Sequence, residues 1–287
     1  IADDVKALGG VLDAEDLKTF HARIVAPLEV EYGGAQVALA GGLTGGQSMA
    51  GVLKALAAQS FRKGGKPGAD AFVAYAQALR DAYAERLSNM GEADDAKSPG
   101  CTSHFNVIDR EGNMVAVTQT LLSVYGSRLV LPKSGVLMNN GINWFDTRPG
   151  TPNAIGPSKR PLTNMCPVIV RKNGEGWFAI GASGGRKIMP AVTQVCSFLI
   201  DHGMNLEDAF HQPRIDASGG ETVGVDPRQP ADVQQALAAK FPVNLTELVV
   251  FPNNFACPSA VVQNARSGEH WGISDVMSPW SGAVAQA

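Results

Sequence analysis

The sequence is short of several things at once. Its 287 residues include four cysteines and five histidines, with 7 % aromatic and 18 % charged residues and a formal net charge of −3 at pH 7. Each shortage excludes something. Cys101, Cys166, Cys196 and Cys257 lie far apart with no C-x-x-C pair, and His21, His104, His202, His211 and His270 do not pair at ligand spacing. No metal centre is therefore expected, and the thiols are read as buried and free. A slightly acidic chain without a basic stripe offers no electrostatic footprint for nucleic acid or an anionic membrane. No stretch approaches the ~18 uninterrupted apolar residues of a membrane span. The opening Ile1-Ala2-Asp3-Asp4 is neither basic nor followed by an apolar run, so no signal peptide is expected on it; it also lacks a methionine. This reading favours the cytoplasm over the periplasm or secretion and leaves the oligomeric state open.

What is present is apolar material, 45 % of the chain, and 32 glycines. That is enough for a sizeable core and argues against disorder. The first hundred residues read as mainly helical. A short helix ends at Gly9-Gly10, and a second opens on Asp13, an N-cap with Asp16 three residues on. Val30 to Leu39 has the content of one or two short strands. Gln47–Ala58 and Ala69–Leu87 place apolar residues at helical spacing, and residues 89–100 form a polar loop. Strands follow. His104–Asp109 and Met114–Leu121 form a hairpin about Arg110-Glu111-Gly112-Asn113, and Pro167–Arg171 with Trp177–Ile180 form a second. Helices come next, over Arg186–His202 and Asn205–His211. The order suggests a layered α+β architecture, with sheets between helices.

Three segments could hold chemistry. Cys101-Thr102-Ser103 sets three nucleophile candidates at a loop-to-strand junction, where the only nearby side-chain base is His104. A cut before such a residue would supply another base, because a new α-amino group has a reference pKa near ~7.7. Gly181-Ala182-Ser183-Gly184-Gly185 matches the G-x-S-x-G nucleophile elbow by letter. It reads equally as a glycine turn whose backbone N–H groups form an oxyanion hole. The elbow needs a parallel sheet, whereas Thr102 to Ile180 reads as hairpins. Gly41-Gly42-Leu43-Thr44-Gly45-Gly46-Gln47-Ser48 lacks the ending of a phosphate loop and is read as a substrate-facing loop.

Together these pieces resemble the γ-glutamyltransferase family of N-terminal-nucleophile hydrolases. The resemblance is carried by Thr102-Ser103-His104-Phe105, Asp109 with Gly112-Asn113, and Val115-Ala116-Val117-Thr118-Gln119-Thr120-Leu121. It continues in Gly135-Val136-Leu137-Met138-Asn139-Asn140, Gly156-Pro157-Ser158-Lys159-Arg160-Pro161-Leu162 and the 181–185 turn. The resemblance implies a four-layer αββα sandwich. Residues 1–101 would be the end of the large subunit and 102–287 the small, nucleophile-bearing subunit, together one composite domain. It implies a precursor cut between Cys101 and Thr102, with Thr102 as nucleophile, Thr120 as its supporting hydroxyl, and Gly184 and Gly185 as oxyanion donors. Ser183 then has no catalytic role. No cofactor is implied. The partners would be a small-molecule amide and the N-terminal part of the large subunit, which has no counterpart in this sequence.

The departures from the family pattern concern the donor. Where members carry an Asn two residues after the supporting threonine, this chain has Leu122. After Asn139-Asn140, Gly141 replaces a Gln or Glu and Trp144 replaces the Asp that binds the substrate ammonium. Thr163-Asn164 replaces Ser-Ser and keeps donors able to hold a carboxylate. The main expectation is a self-processing amide hydrolase or acyl transferase for γ-glutamyl or related short acyl amides. The alternatives are an amidase for donors without an α-amine, of oxamate or glutaryl type, an unprocessed binding scaffold, and a serine hydrolase built on Ser183.

Overall fold

The computed structural model describes residues 1–90, 100–250, 254–264 and 267–286, excluding the side chains of Gly100 and Cys101. In chain order the elements are α1 (Ala2–Ala7), α2 (Ala14–Thr19), β1 (Leu28–Tyr32), β2 (Ala35–Leu39), α3 (Gly46–Ala57), α4 (Ala69–Ser88), β3 (Gly100–Ile108), β4 (Met114–Ser123) and β5 (Val168–Lys172). They continue with β6 (Glu175–Ser183), α5 (Ile188–Ile200), α6 (Leu206–His211), β7 (Ile215–Asp216), β8 (Val223–Val225), α7 (Ala231–Ala238), β9 (Val243–Leu245), β10 (Cys257–Gln263) and β11 (His270–Ser274). The loop expected over residues 89–100 falls mostly outside the described residues.

Local chemistry sets several of these boundaries. Asp13 closes a capping box on α2: its carboxylate accepts from the Glu15 and Asp16 amides, and Asp16 accepts back from the Asp13 amide. In β1 and β2 the buried residues Val30, Tyr32, Ala35, Val37 and Leu39 alternate with more exposed ones, which is the period of a strand with one covered face. Helix α5 is buried at every position from Ile188 to Leu199, as expected of a helix set inside the core. Pro190 sits in its first turn, where no intrahelical N–H bond is lost.

Six strands form one antiparallel sheet in the order β1-β2-β5-β6-β10-β11. Helices α3 and α5 cover one face, and α4 packs outside α3. Alternation along β6 divides its two sides. Phe178, Ile180 and Ala182 join the helix-side core, while Gly181 faces the β3–β4 hairpin, which lies across the other side. A buried polar node ties strand to helix: Tyr32 Oη and Ser197 Oγ both donate to Asp201, and Tyr75 Oη bonds Ser197 and His202.

The architecture is α+β, with helices, a six-stranded sheet and a second sheet layer stacked in turn. Among the described residues that second layer is the two-stranded β3–β4 hairpin alone. Its outer side chains Phe105, Val107 and Val115 are 48 %, 50 % and 50 % exposed. No described helix covers them. Residues 1–101 contribute β1 and β2 to the main sheet, so the bond between 101 and 102 is not a boundary between separate cores. A small sheet of β7, β8 and β9, with β8 and β9 parallel, completes the C-terminal third.

Candidate active site

The hairpin lies on the main sheet in a defined direction. Its tip reaches the start of β6 and the end of β10, where Met114 packs on Gly176 and Gly112 meets Gln263. Midway, the His104 ring covers Gly181 so closely that a Cβ there would come within 2.2 Å of it. The open end of the hairpin, with Thr102 opposite Thr120, therefore points to the end of β6, where Ser183, Gly184 and Gly185 lead into α5.

Other segments arrive at the same end of the sheet. Leu39 pairs with Val168 and Val168 with Ile180, which brings together the exit of β2, the approach to β5 and the exit of β6. The Gly41–Gly46 loop and residues 163–165 are joined by the Thr163 amide donating to Leu43 O at 3.0 Å and the Gly45 amide to Met165 O at 2.9 Å. Beyond β4, the Asn140 amide donates to Leu121 O at 3.1 Å, and the Asn140 side chain bonds both the amide and the hydroxyl of Ser123. This clamp holds residues 139–144 beside Thr120.

Thr102 Oγ1 donates to Thr120 Oγ1 at 3.1 Å, and the Leu122 amide donates to the same Thr120 oxygen at 2.8 Å. To make that second bond Leu122 adopts φ 77°, a left-handed conformation that is strained for a branched side chain. Strand β3 runs from Gly100 to Ile108 and so includes the 101–102 bond. The expectation for the Cys101 side chain falls outside the described residues.

His104 is not a base for Thr102. Asn106 Nδ2 donates to Ser259 O at 2.9 Å, so its Oδ1 is the acceptor facing His104 Nε2 at 3.0 Å. The proton on Nε2 leaves Nδ1 to accept from the Thr118 hydroxyl at 2.7 Å. Both nitrogens are engaged, and burial lowers the imidazole pKa to about 4, so the ring is neutral at pH 7.

Gly184 and Gly185 have φ 133° and 60°, and a Cβ on Gly184 would stand 2.8 Å from Ala256 Cα. Glycine is required on both counts. They open a 3-10 turn leading into α5, where the first N–H groups of a helical segment have no partner within it. The turn thus sits at the start of a helical segment near the end of the hairpin, a place where backbone N–H groups can meet negative charge. Ser183 pairs with Cys257 in an antiparallel ladder, which removes the context a nucleophile elbow needs.

The expected donor-binding residues divide. Thr163 is 8 % exposed and its hydroxyl donates to Leu43 O at 3.0 Å, so that proton is used within the fold. Asn164 is half-buried, and its Oδ1 accepts from Arg86 Nη2 at 3.2 Å. Gly141 and Trp144 lie together: a Cβ on Gly141 would come within 3.2 Å of the Trp144 ring. The two departures from the family pattern are therefore one feature, a ring occupying space where a longer side chain at 141 would begin.

Sequence reasoning missed Arg86. It is 1 % exposed, the largest fully buried side chain, and its signal is its alignment with Leu79 and Tyr83 on the buried stripe of α4. Cys166 and Cys196 are buried and Cys257 half-buried, all free. Burial pushes the Cys166 thiol up to about 12 and Cys257 to about 11, leaving both protonated. Among the described residues no group of three His, Cys, Asp or Glu could hold a metal, and no helix is long and apolar enough to cross a membrane.

Comparison with known proteins points to one family. The family profile described as Gamma-glutamyltranspeptidase matches residues 1–101 and 91–280. The chain is 32 % identical over 264 residues to the glutathione hydrolase proenzyme of Escherichia coli, covering 75 % of this chain and 46 % of that protein. It is 30 % identical over 275 residues to an Acylase ACY 1 proenzyme of a Pseudomonas species, covering 84 % and 49 %. The chain thus spans about half the length of these relatives. In fold it is similar to the cephalosporin acylase of Bacillus halodurans, with a TM-score of 0.87 and 22 % identity over 100 % of this chain and 58 % of that one. It also resembles a highly active tryptophan-to-aspartate mutant of γ-glutamyltranspeptidase from Pseudomonas nitroreducens, with a TM-score of 0.55 and 26 % identity over 64 % of this chain and 100 % of that one.

Proposed function

The chain belongs to the gamma-glutamyltranspeptidase family, and on that footing we propose that it is a self-processing amide hydrolase or acyl transferase acting through Thr102. The observation that carries the reading is the Thr102–Thr120 hydroxyl pair at 3.1 Å, at the hairpin end that faces the Gly184–Gly185 turn. In processing, Thr102 Oγ attacks the Cys101 carbonyl carbon. The C–N bond breaks as the acyl group moves to oxygen and the hydroxyl proton moves to nitrogen, which frees the Thr102 amine; water then hydrolyses the ester, restoring the Thr102 hydroxyl and leaving a carboxylate on Cys101. That amine, with a reference pKa near ~7.7, then takes the Thr102 hydroxyl proton as Oγ attacks the donor amide. The Gly184 and Gly185 N–H groups stabilise the oxyanion. The amine returns the proton to the leaving nitrogen, and water or an acceptor amine resolves the acyl-enzyme.

The substrate is a γ-glutamyl or related short acyl amide. The Asn164 Nδ2 group supports a donor carboxylate on one side. A second reading, an amidase for donors without an α-amine, is favoured by the Gly141–Trp144 packing, which offers no acceptor to an ammonium. Relatives named as glutathione hydrolases support the first reading, and those named as acylases are compatible with the second. The exposed face of Phe105, Val107 and Val115 is the surface on which a segment corresponding to the rest of the relatives' length would pack.

Intact mass of the full-length protein is the deciding test. Cleavage before Thr102 is expected in the parent and in Cys101→Ala, and a single uncut chain in Thr102→Ala. Efficient cleavage of Thr102→Ala at the same bond would overturn the assignment, and an uncut parent would leave the scaffold reading in its place.

A further inference from the structure

Helix α4 ends immediately before the stretch that carries the chain to β3, and its last turns reach two segments of the site. Tyr83 Oη donates to the carbonyl of Arg186, directly after the Gly184–Gly185 turn. One turn on, Arg86 Nη1 donates to Thr44 O at 3.2 Å and to Ser48 Oγ at 3.4 Å. Arg86 Nη2 donates to Thr163 O at 2.6 Å and to Asn164 Oδ1 at 3.2 Å. A guanidinium presents planar N–H groups in a rigid fork and accepts nothing. It therefore fixes which way the Asn164 amide faces: the oxygen is held by the cation, and the NH₂ group is turned away from it.

We propose that Arg86 is a positioning residue for donor recognition, holding the Asn164 amide in the orientation that presents its N–H groups to the substrate carboxylate. The inference rests on the reading of Asn164 as a carboxylate donor. Without the guanidinium an amide can rotate, and the rotated form aims a carbonyl oxygen at the carboxylate. Asn164 also shares Arg86 with Thr163 O and Thr44 O, so one side chain sets both the backbone and the side chain of that segment. A lysine keeps the charge but has no fixed fork with which to hold a carbonyl and an amide oxygen together.

The full-length, self-cleaved protein is assayed with a donor pair, a glutaryl anilide and its methyl ester. In the parent the free acid is expected to be preferred. Arg86→Lys should lower that preference about ten- to a hundredfold, the range for losing a hydrogen bond to a charged group. The loss should fall mainly on KM for the acid, with kcat/KM for the ester kept within about threefold. Asn164→Ala should remove the same preference, and the double variant should lose little more. Equal losses on acid and ester in Arg86→Lys would show a merely structural role and overturn the inference. If Asn164→Ala collapses the preference and Arg86→Lys does not, the inference fails alone. If Asn164→Ala leaves the preference intact, the carboxylate reading fails and takes the inference with it. Should Arg86→Lys fail to self-cleave, stabilisation by glutarate is compared on uncut proteins, each carrying Thr102→Ala. A rise in Tm in that parent that disappears in both Arg86→Lys and Asn164→Ala supports the role, and an unchanged rise in Arg86→Lys overturns it.

Discussion

The two walls around Thr102 are built by different means. The wall formed by residues 41–46, 163–166 and 183–185 is stitched by bonds between segments distant in the chain, from Arg86 to Thr163, Tyr83 to Arg186 and Thr163 to Leu43. The opposite wall, Leu122 with residues 139–144, is held by near neighbours. Asn140 clamps Ser123, Asn139 Oδ1 takes the Gly141 amide, and Asn153 Nδ2 donates to Trp144 O. In a wall fixed by long-range bonds, a change at a bonded side chain is passed to the segments it joins. A locally folded wall can exchange side chains within its own loop. Three of the donor-side departures that the resemblance implies, Leu122, Gly141 and Trp144, lie on the local wall; the one on the stitched wall, Thr163-Asn164, keeps side chains that can donate hydrogen bonds.

The sharpest break of this contrast is on the stitched wall. Gly184→Ala forces a side chain into a left-handed backbone and against Ala256. Turnover is expected to fall roughly 10²–10³-fold, the scale of losing one oxyanion donor, with KM little changed in steady-state kinetics. Ser183→Ala, one residue away, should stay within about tenfold of the parent; loss of activity with normal self-cleavage would return Ser183 to the catalytic role.

The hairpin between the walls gives the next effect. His104 titrates near 6.5 when unfolded and at about 4 in the fold, chiefly because it is buried. Between those values the unfolded chain binds more protons, so stability is full above pH 6.5 and falls as the pH drops toward 4. The slope has an upper bound of about 1.4 kcal/mol per pH unit for one group. Urea unfolding of parent and His104→Gln across pH 4–7 should show a shallower slope in the variant; parallel slopes would mean the imidazole charges freely in the fold.

On the local wall the effects are smaller and concern choice of donor. The parent is expected to favour a glutaryl over a matched γ-glutamyl anilide, since neither Gly141 nor Trp144 carries a carboxylate to meet the ammonium. Trp144→Asp should shift kcat/KM toward the γ-glutamyl donor by at least about tenfold, or ~1.4 kcal/mol. A parent that already prefers the γ-glutamyl donor by more than tenfold would show that the ammonium is met elsewhere.

The smallest effect separates two adjacent leucines. Leu122→Asn places a residue tolerant of positive φ in a left-handed position and should be neutral or stabilising by about 1 kcal/mol. Leu121→Asn, in the strand with no such strain, should destabilise. Urea midpoints of the two variants test the contrast, and equal losses would mean that Leu122 bears no backbone strain.

Much of the fold was legible in the sequence, and the reason is periodicity. Helices α3 and α4 and the two hairpins show their period over ten or more residues, and α2 announces itself through Asp13 and Asp16. The β7–β9 sheet was not legible, because strands such as Val223–Val225 are too short to show alternation. The candidate site was legible only through the family resemblance. Its assembly depends on register between segments such as Leu39 and Val168, which no local pattern encodes. The roles of Arg86 and His104 were hidden for a related reason: each is a polar group whose partners lie in other elements.

The six-stranded sheet takes β1 and β2 from one side of the 101–102 bond and the other four strands from the opposite side, with β2 laddered to β5 across the divide. Scission there would cut no ladder in that sheet and remove no layer of its core. The two fragments would share a single hydrophobic interior and a buried arginine, so dilution alone has no weak seam to pull apart. They should migrate as one species in gel filtration and separate only under denaturant, a nick that changes the count of chain ends while leaving the unit that unfolds the same.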